Sequence, residues 1–213
     1  MSNTKERILS RLNQGRSSTP GAPYQTQTVE EAPITDALST FVNNLEAAQA
    51  EVHQISQAQL LDWLNQRFKT LESGSVWVGD EVLEGLGVNA ELIQADVNIY
   101  RQEVGTCKQD LFERAEVGIT TAAAGIASSG SLVIWPSDKE PRLLSLVPAI
   151  HIAIIFKAQI YDNFSQVMHD QHWSKAMPSN VVLVSGPSKT ADIEQVLAYG
   201  VHGPSQLITL IIT

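Results

Sequence analysis

Three features of this 213-residue sequence predict an α/β fold: a doubly wound, mostly parallel sheet with a small antiparallel element. Short aliphatic and β-branched runs alternate with segments of helical spacing, as in buried strands joined by crossover helices. Val181 to Val184, a polar loop, Ile193, Val196 and Leu197 at helical spacing, and the apolar run Gln206 to Thr213 read as one strand–helix–strand unit. Residues 131–156 hold several apolar runs with no helix between them, which argues for local antiparallel pairing.

Taken in order, Thr4 to Leu12 places Ile8, Leu9 and Leu12 on one side and Lys5, Arg7 and Arg11 elsewhere, a helix too short to be stable alone in water. Residues 15–33 are rich in Ser, Thr, Pro, Gly and Gln without periodicity and read as a linker or arm. The expected organisation is therefore an N-terminal helix and arm over 1–34 and an α/β domain over 35–213. Thr35 to Ala50 reads as a helix with Leu38, Phe41, Val42 and Leu45 as its apolar stripe, and Val52 to Ile55 as extended. Ser56 is a candidate N-cap for a second helix carrying Leu60, Leu61, Leu64 and Phe68. Val76 to Val78 is a strand, and Asp80 caps a helix ending near Gly85 or Gly87. Ile93 to Tyr100 is a strand and 109–116 a short helix. Residues 117–120, 132–135, 143–147 and 151–156 are the next apolar runs, and Ile160, Phe164, Val167 and Met168 form a helical face.

Composition narrows the function. A formal net charge of −9 and a pI near 4.9 disfavour a nucleic-acid partner, whose phosphates need a positive surface. No apolar run reaches membrane-spanning length, and no apolar stretch follows the charged start as in a secretory signal, so a cytoplasmic location is expected. Cys107 is the only cysteine, so the chain cannot by itself form an internal disulfide, a CxxC pair or a cysteine-ligated cluster. His169 and His172 are spaced for a helical metal pair, but no third ligand lies at useful spacing; no metal is expected.

The richest stretch is Ser185-Gly186-Pro187-Ser188-Lys189-Thr190-Ala191-Asp192-Ile193-Glu194. Read as the loop after a parallel strand, it lies where open α/β sheets bind ligands. Gly186 permits close approach, Ser185, Ser188 and Thr190 offer hydroxyls, and Lys189 and the amides of the following helix offer positive charge for a small anion. Thr190 is equally suited to cap that helix, with Asp192 and Glu194 complementing its dipole. Gly118, Thr120, Gly130 and Ser131 are candidate lining, since small side chains admit a ligand or let a helix pack tightly. His202, in Gly200-Val201-His202-Gly203-Pro204, would then lie at the opposite end of the sheet, serving an interface or a turn. Pro136 to Pro141 reads as an exposed hairpin loop, and His151 as a structural histidine lacking a partner carboxylate.

The segments Gly118-Ile119-Thr120, Gly130-Ser131-Leu132-Val133, Ser145-Leu146-Val147-Pro148 with His151, the Ser185–Glu194 loop and Gly200 to Pro204 resemble, in that order, the lactate-utilisation protein C family, whose core is the LUD domain. The resemblance spans about Ser56 to Thr213, with a looser match reaching the opening helix. It implies a fold similar to the ribose-phosphate isomerase, glucosamine-phosphate deaminase and CoA-transferase group. It also implies a part in oxidising L-lactate to pyruvate beside partner proteins, one of which carries iron–sulfur clusters that this chain lacks the cysteines to bind. The family commonly has an acidic residue after Gly-Ile-Thr and Glu-Thr-Gly-Thr before the Leu-Val strand; here stand Ala122-Ala123-Ala124 and Ser128-Ser129-Gly130-Ser131. A carboxylate there could act as nucleophile or base, and its loss weighs against such chemistry. The resulting expectation is an accessory protein of lactate or 2-hydroxy-acid oxidation that binds a small anion. The alternatives are an isomerase or acyl/CoA-transfer enzyme on a phosphorylated or CoA-linked substrate, and a non-catalytic ligand-sensing module; a homo-oligomer is compatible with each.

Overall fold

The computed structural model describes residues 7–11, 33–71, 75–100, 106–175, 179–191, 197–200 and 202–213. The chain divides into two compact units, Met1–Ala32 and Pro33–Thr213. In the first, residues 7–11 are helical.

The second unit is built on a six-stranded sheet. In chain order its strands are β1 (Glu51–Ile55), β2 (Ser75–Gly79), β3 (Asp96–Tyr100), β4 (Val117–Thr121), β7 (Ile150–Phe156) and β12 (Gln206–Ile212). Their spatial order is β1-β12-β7-β4-β2-β3, and every pairing is parallel. Strand alternation sorts the side chains. Val76, Val78, Val117, Ile119, Ile152, Ile154, Ile208 and Leu210 fill one face, under helix α2 (Leu60–Phe68) and the single turn α3 (Val82–Gly85). Ala153, Ile155, Leu207 and Ile211 fill the other, under helix α1 (Ala37–Ala47). Helices on both faces make the sheet doubly wound, as the sequence predicts.

A second sheet, of order β8-β5-β6-β9, comprises β5 (Ala124–Ile126), β6 (Ser131–Ile134), β8 (Ile160–Tyr161) and β9 (Val182–Val184), with β5–β6 and β6–β9 antiparallel. Leu132 and Ile134 join the core under α1, whereas Val133 faces Val167 and Trp173 beside α6 (Phe164–Asp170). Helices α4 (Thr106–Arg114) and α5 (Leu143–Leu146) bring Leu111 and Leu144 against Trp77. No helix among the described residues is long and apolar enough to cross a membrane.

Several sequence expectations change. Leu143 to Val147 is helical rather than extended, because four apolar residues in five carry no period that separates the two. Ile160 belongs to a strand, and the helix after Asp80 is one turn whose N-cap, Glu81, has φ 64°. The largest change concerns the final unit. The run at 181–184 forms β9 at the edge of the second sheet, antiparallel to β6, and not a parallel strand. Lys189–Ala191 (β10) and Leu197–Tyr199 (β11) then pair as an antiparallel hairpin where a crossover helix was expected. Leu197 is therefore extended, and the centre of that expected helix, 192–196, lies outside the described residues. Pro136 to Pro141 is no hairpin either: it joins β6 to α5 through a turn in which Ser137 N–H donates to Glu140 O (3.0 Å).

Candidate functional site: two cavities at opposite edges of the sheet

The loop after β9 lies at the amino edge of the parallel sheet, not the carboxyl edge. Ser188 N–H donates to Pro204 O (2.8 Å) and Gly200 N–H to Ser188 O (3.0 Å), which zips the loop onto the segment leading into β12. Gly186 approaches the end of α1 so closely that a Cβ would stand 2.6 Å from Ala48 O. A cavity of about 190 Å³ results, lined by Ser145, His151, Ser185, Gly186, Ser188 and His202 together with apolar neighbours such as Leu146 and Leu207. The two glycine-rich loops, which the strand–helix–strand reading set at opposite ends of the sheet, share this one cavity. That reading failed because β9 belongs to the second sheet.

Polar side chains behind the lining are linked. Ser185 Oγ lies 2.7 Å from Ser131 Oγ, which lies 2.8 Å from Ser129 Oγ. His151, second residue of β7, is 1% exposed, and its Nε2 is 2.8 Å from Thr120 Oγ1 on the neighbouring strand β4. Burial pushes the imidazole down to about 4, so the ring is neutral near pH 7. Its Nδ1 is buried without a hydrogen-bond partner. Among the described residues, no carboxylate lines this cavity.

Of the residues singled out in the sequence, Ser185, Gly186, Ser188 and His202 line the cavity, while Ser131 and Thr120 reach it through hydrogen-bonded neighbours. Gly118 and Gly130 do not line it. A Cβ on Gly118 would stand 2.0 Å from Leu144 O, so its bareness lets α5 pack on β4. Gly130 has φ +57° and packs against Asn44 of α1. Lys189 is exposed at the start of β10, and Thr190 is a strand residue rather than a helix cap.

A second, larger cavity opens at the carboxyl edge. The chain leaves β2 outward to β3 and leaves β4 the other way to β7, so the order reverses between β2 and β4. There a cleft of about 390 Å³ is lined by Asp80, Thr121, Trp135, Lys139, Glu140 and Gln159 among others. The β6–α5 loop is clamped over it. Asp80 N–H donates to Lys139 O (2.8 Å), and the bare Gly79 leaves room for that carbonyl. Glu140 Oε1 accepts from Thr121 N–H (2.6 Å) and Oε2 from Thr121 Oγ1 (2.8 Å), while Lys139 pairs with Glu81. Burial pushes the Glu140 carboxyl above the usual carboxylate range, and the two hydrogen bonds from Thr121 oppose that shift. Sequence reading found no carboxylate near the Gly-Ile-Thr strand; the fold delivers one from nineteen residues downstream. An acid beside a proline in a strand-to-helix loop was its only local signal.

Comparison with known proteins agrees with this architecture. The LUD domain family pattern matches residues 38–212. An uncharacterized protein of Neisseria meningitidis is 40% identical over 131 residues, which are 59% of this chain and 56% of that protein. Lactate utilization protein C of Anoxybacillus flavithermus is 30% identical over 217 residues, covering 98% of this chain and 97% of the relative. Its namesake in Halalkalibacterium halodurans is 31% identical, covering 84% and 73%. A crystal structure of a DUF162 family protein from Deinococcus radiodurans shares the fold, with a TM-score of 0.63, 18% identity, and coverage of 83% of this chain and 96% of that one. In accord with its resemblance to lactate-utilisation protein C, the chain belongs to the LUD domain family.

Proposed function

We propose that this protein serves the oxidation of L-lactate, or a related 2-hydroxy acid, to pyruvate as an accessory protein that binds a small organic acid in the amino-edge cavity. Relatives named for lactate utilisation, one of them matched over 97% of its length, support the pathway. The observation that carries the binding role is the cavity's make-up: among the described residues, three serine hydroxyls, two imidazoles and no carboxylate line a space of about 190 Å³. That volume suits an acid of three or four carbons, and such a lining offers donors to its oxygens without repelling its charge. In this reading iron–sulfur clusters reside on oxidase partners and this chain holds no cofactor alone. Deleting its gene in a host that grows on L-lactate should abolish that growth, and tagged chain should co-purify an iron–sulfur protein from lactate-grown cells. Normal growth without any such association would overturn the proposal.

One observation favours a second reading. Glu140 sits buried at the crevice where the strand order reverses, with its carboxyl pushed toward the protonated form. That is the equipment of a general acid or base in an isomerase or acyl-transfer enzyme. Turnover of a sugar phosphate or CoA ester by the purified chain, lost in Glu140→Gln, would establish it.

A further inference from the structure

The hydrogen bonding of His151 fixes which atoms of a ligand the amino-edge cavity can read. A neutral imidazole carries one N–H, on either Nδ1 or Nε2. Nε2 faces Thr120 Oγ1 at 2.8 Å, and Thr120 is itself 1% exposed. If Nε2 carried the proton and donated to Thr120, the hydroxyl proton would need another acceptor. Among the described residues, Thr120 Oγ1 has no hydrogen-bond partner besides His151 Nε2. Two buried groups would then go unsatisfied, the hydroxyl proton and the Nδ1 lone pair. If instead Thr120 O–H donates to Nε2, the hydroxyl is satisfied and one group alone is left over, an N–H on Nδ1. Each buried unmet group costs on the order of 1–3 kcal/mol, so the second arrangement prevails.

Nδ1 has no partner among the described residues, and His151 lines the cavity together with Ser145, Ser185, Ser188 and His202. We propose that His151, held as the Nδ1–H tautomer by Thr120, is a ligand-binding residue that donates a hydrogen bond to an acceptor oxygen of a small carboxylic acid. This rests on the reading that the cavity binds such an acid and adds the atom that recognises it. The hydroxyl chain Ser129–Ser131–Ser185 supplies the complementary group at the mouth, because a run of three hydroxyls can turn its terminal proton toward an anion or away from it. Thr120 is a positioning residue, acting through the ring and not on the ligand.

The experiment has three arms on the full chain. Long-range ¹⁵N–¹H spectra of the histidine rings should show a ring that is neutral at pH 7, with Nδ1 protonated and Nε2 bare, and Thr120→Val should release that ring to the Nε2–H form. Calorimetric titration with pyruvate and with L-lactate should give binding that falls at least about tenfold in His151→Leu, the loss expected for a hydrogen bond to a charged group. It should stay within a few-fold of wild type in His151→Asn, whose amide N–H occupies nearly the place of Nδ1–H. Thermal unfolding of each variant reports that it is folded. A wild-type ring protonated on Nε2, or equal binding by folded His151→Leu, would overturn the inference while leaving the cavity as an acid site. Failure of the wild-type chain to bind either acid would overturn the cavity reading and this one together.

Discussion

The two edges of the parallel sheet solve opposite electrostatic problems. At the amino edge the described lining offers hydroxyls, backbone, the His202 ring and the His151 imidazole that burial keeps unprotonated, with no carboxylate among them. At the carboxyl edge the described lining is acidic, with Asp80, Glu81 and Glu140 against Lys139 alone among the described lining side chains. An anion is therefore suited to the first and opposed at the second unless Glu140 holds a proton. Position explains the contrast. The amino edge is closed by two loops that touch through backbone hydrogen bonds, leaving their hydroxyls to face inward. The carboxyl edge is closed by one loop pinned through a carboxylate.

The sharpest way to break the comparison is to damage one edge alone. Gly118→Val places a side chain where Leu144 O already lies 2.0 Å from the Cβ position, and should cost about 3 kcal/mol or more in urea unfolding. The acid site should be lost with it, and Glu140's surroundings retained in whatever fraction stays folded.

Next in size is an effect of pH. On unfolding, His151 recovers its ordinary value near 6.5, whereas in the folded chain it sits at about 4. Between these values the unfolded chain binds a proton that the folded chain does not. The stability His151 confers is complete above pH 6.5 and is lost as pH falls toward 4, by about 3 kcal/mol. Chemical denaturation across that range should show the slope in wild type and a flatter line in His151→Asn.

Glu140 should give the opposite sign. Its folded value is raised, so its contribution is complete at low pH and is lost as pH rises from the ordinary glutamate range through the folded value. The effect should be smaller than that of His151, because hydrogen bonds from Thr121 work against burial. Glu140→Gln can keep both contacts, with its carbonyl accepting from the Thr121 amide and its amide donating to the Thr121 hydroxyl. The variant should fold as well as wild type and lose this slope. Smallest is Ser185→Ala, which ends the hydroxyl chain at Ser131 and should cost about 1 kcal/mol or less in stability while weakening acid binding.

How much of this was legible beforehand depends on the range of the interaction. Apolar runs at 76–78, 117–120, 151–156 and 206–213 all became strands of the six-stranded sheet, because a continuous β-branched run needs burial on both faces. The serine loop and the histidine loop each stand out in the sequence, but at opposite ends of the expected sheet. Their meeting place was not readable, because Val181 to Val184 carries no mark of parallel or antiparallel pairing, and the partner that decides it, β6, lies some fifty residues earlier. Glu140 was invisible as a site residue for the same reason: its two hydrogen bonds go to Thr121 across two strands, β5 and β6, and a loop. His151 was read as structural, which its burial supports. Its ligand-facing atom emerges only when Thr120 is placed on the next strand.

The interior position of β12, between β1 and β7, has a consequence for how the molecule is made. β1 leaves the ribosome about 155 residues before its sheet partner, the separation between Glu51 and Gln206. Until then one hydrogen-bonding edge of β1 and one of β7 stand open, and the sheet exists as unjoined parts. Closing so long a loop is slow, and a chain caught before it closes exposes the apolar faces that otherwise fill the core. Glu51, His53 and Gln54 keep β1 polar enough to wait. Synthesis interrupted anywhere before residue 206 would leave β1 without its parallel partner, so the six-stranded sheet is joined into one only when β12 is made.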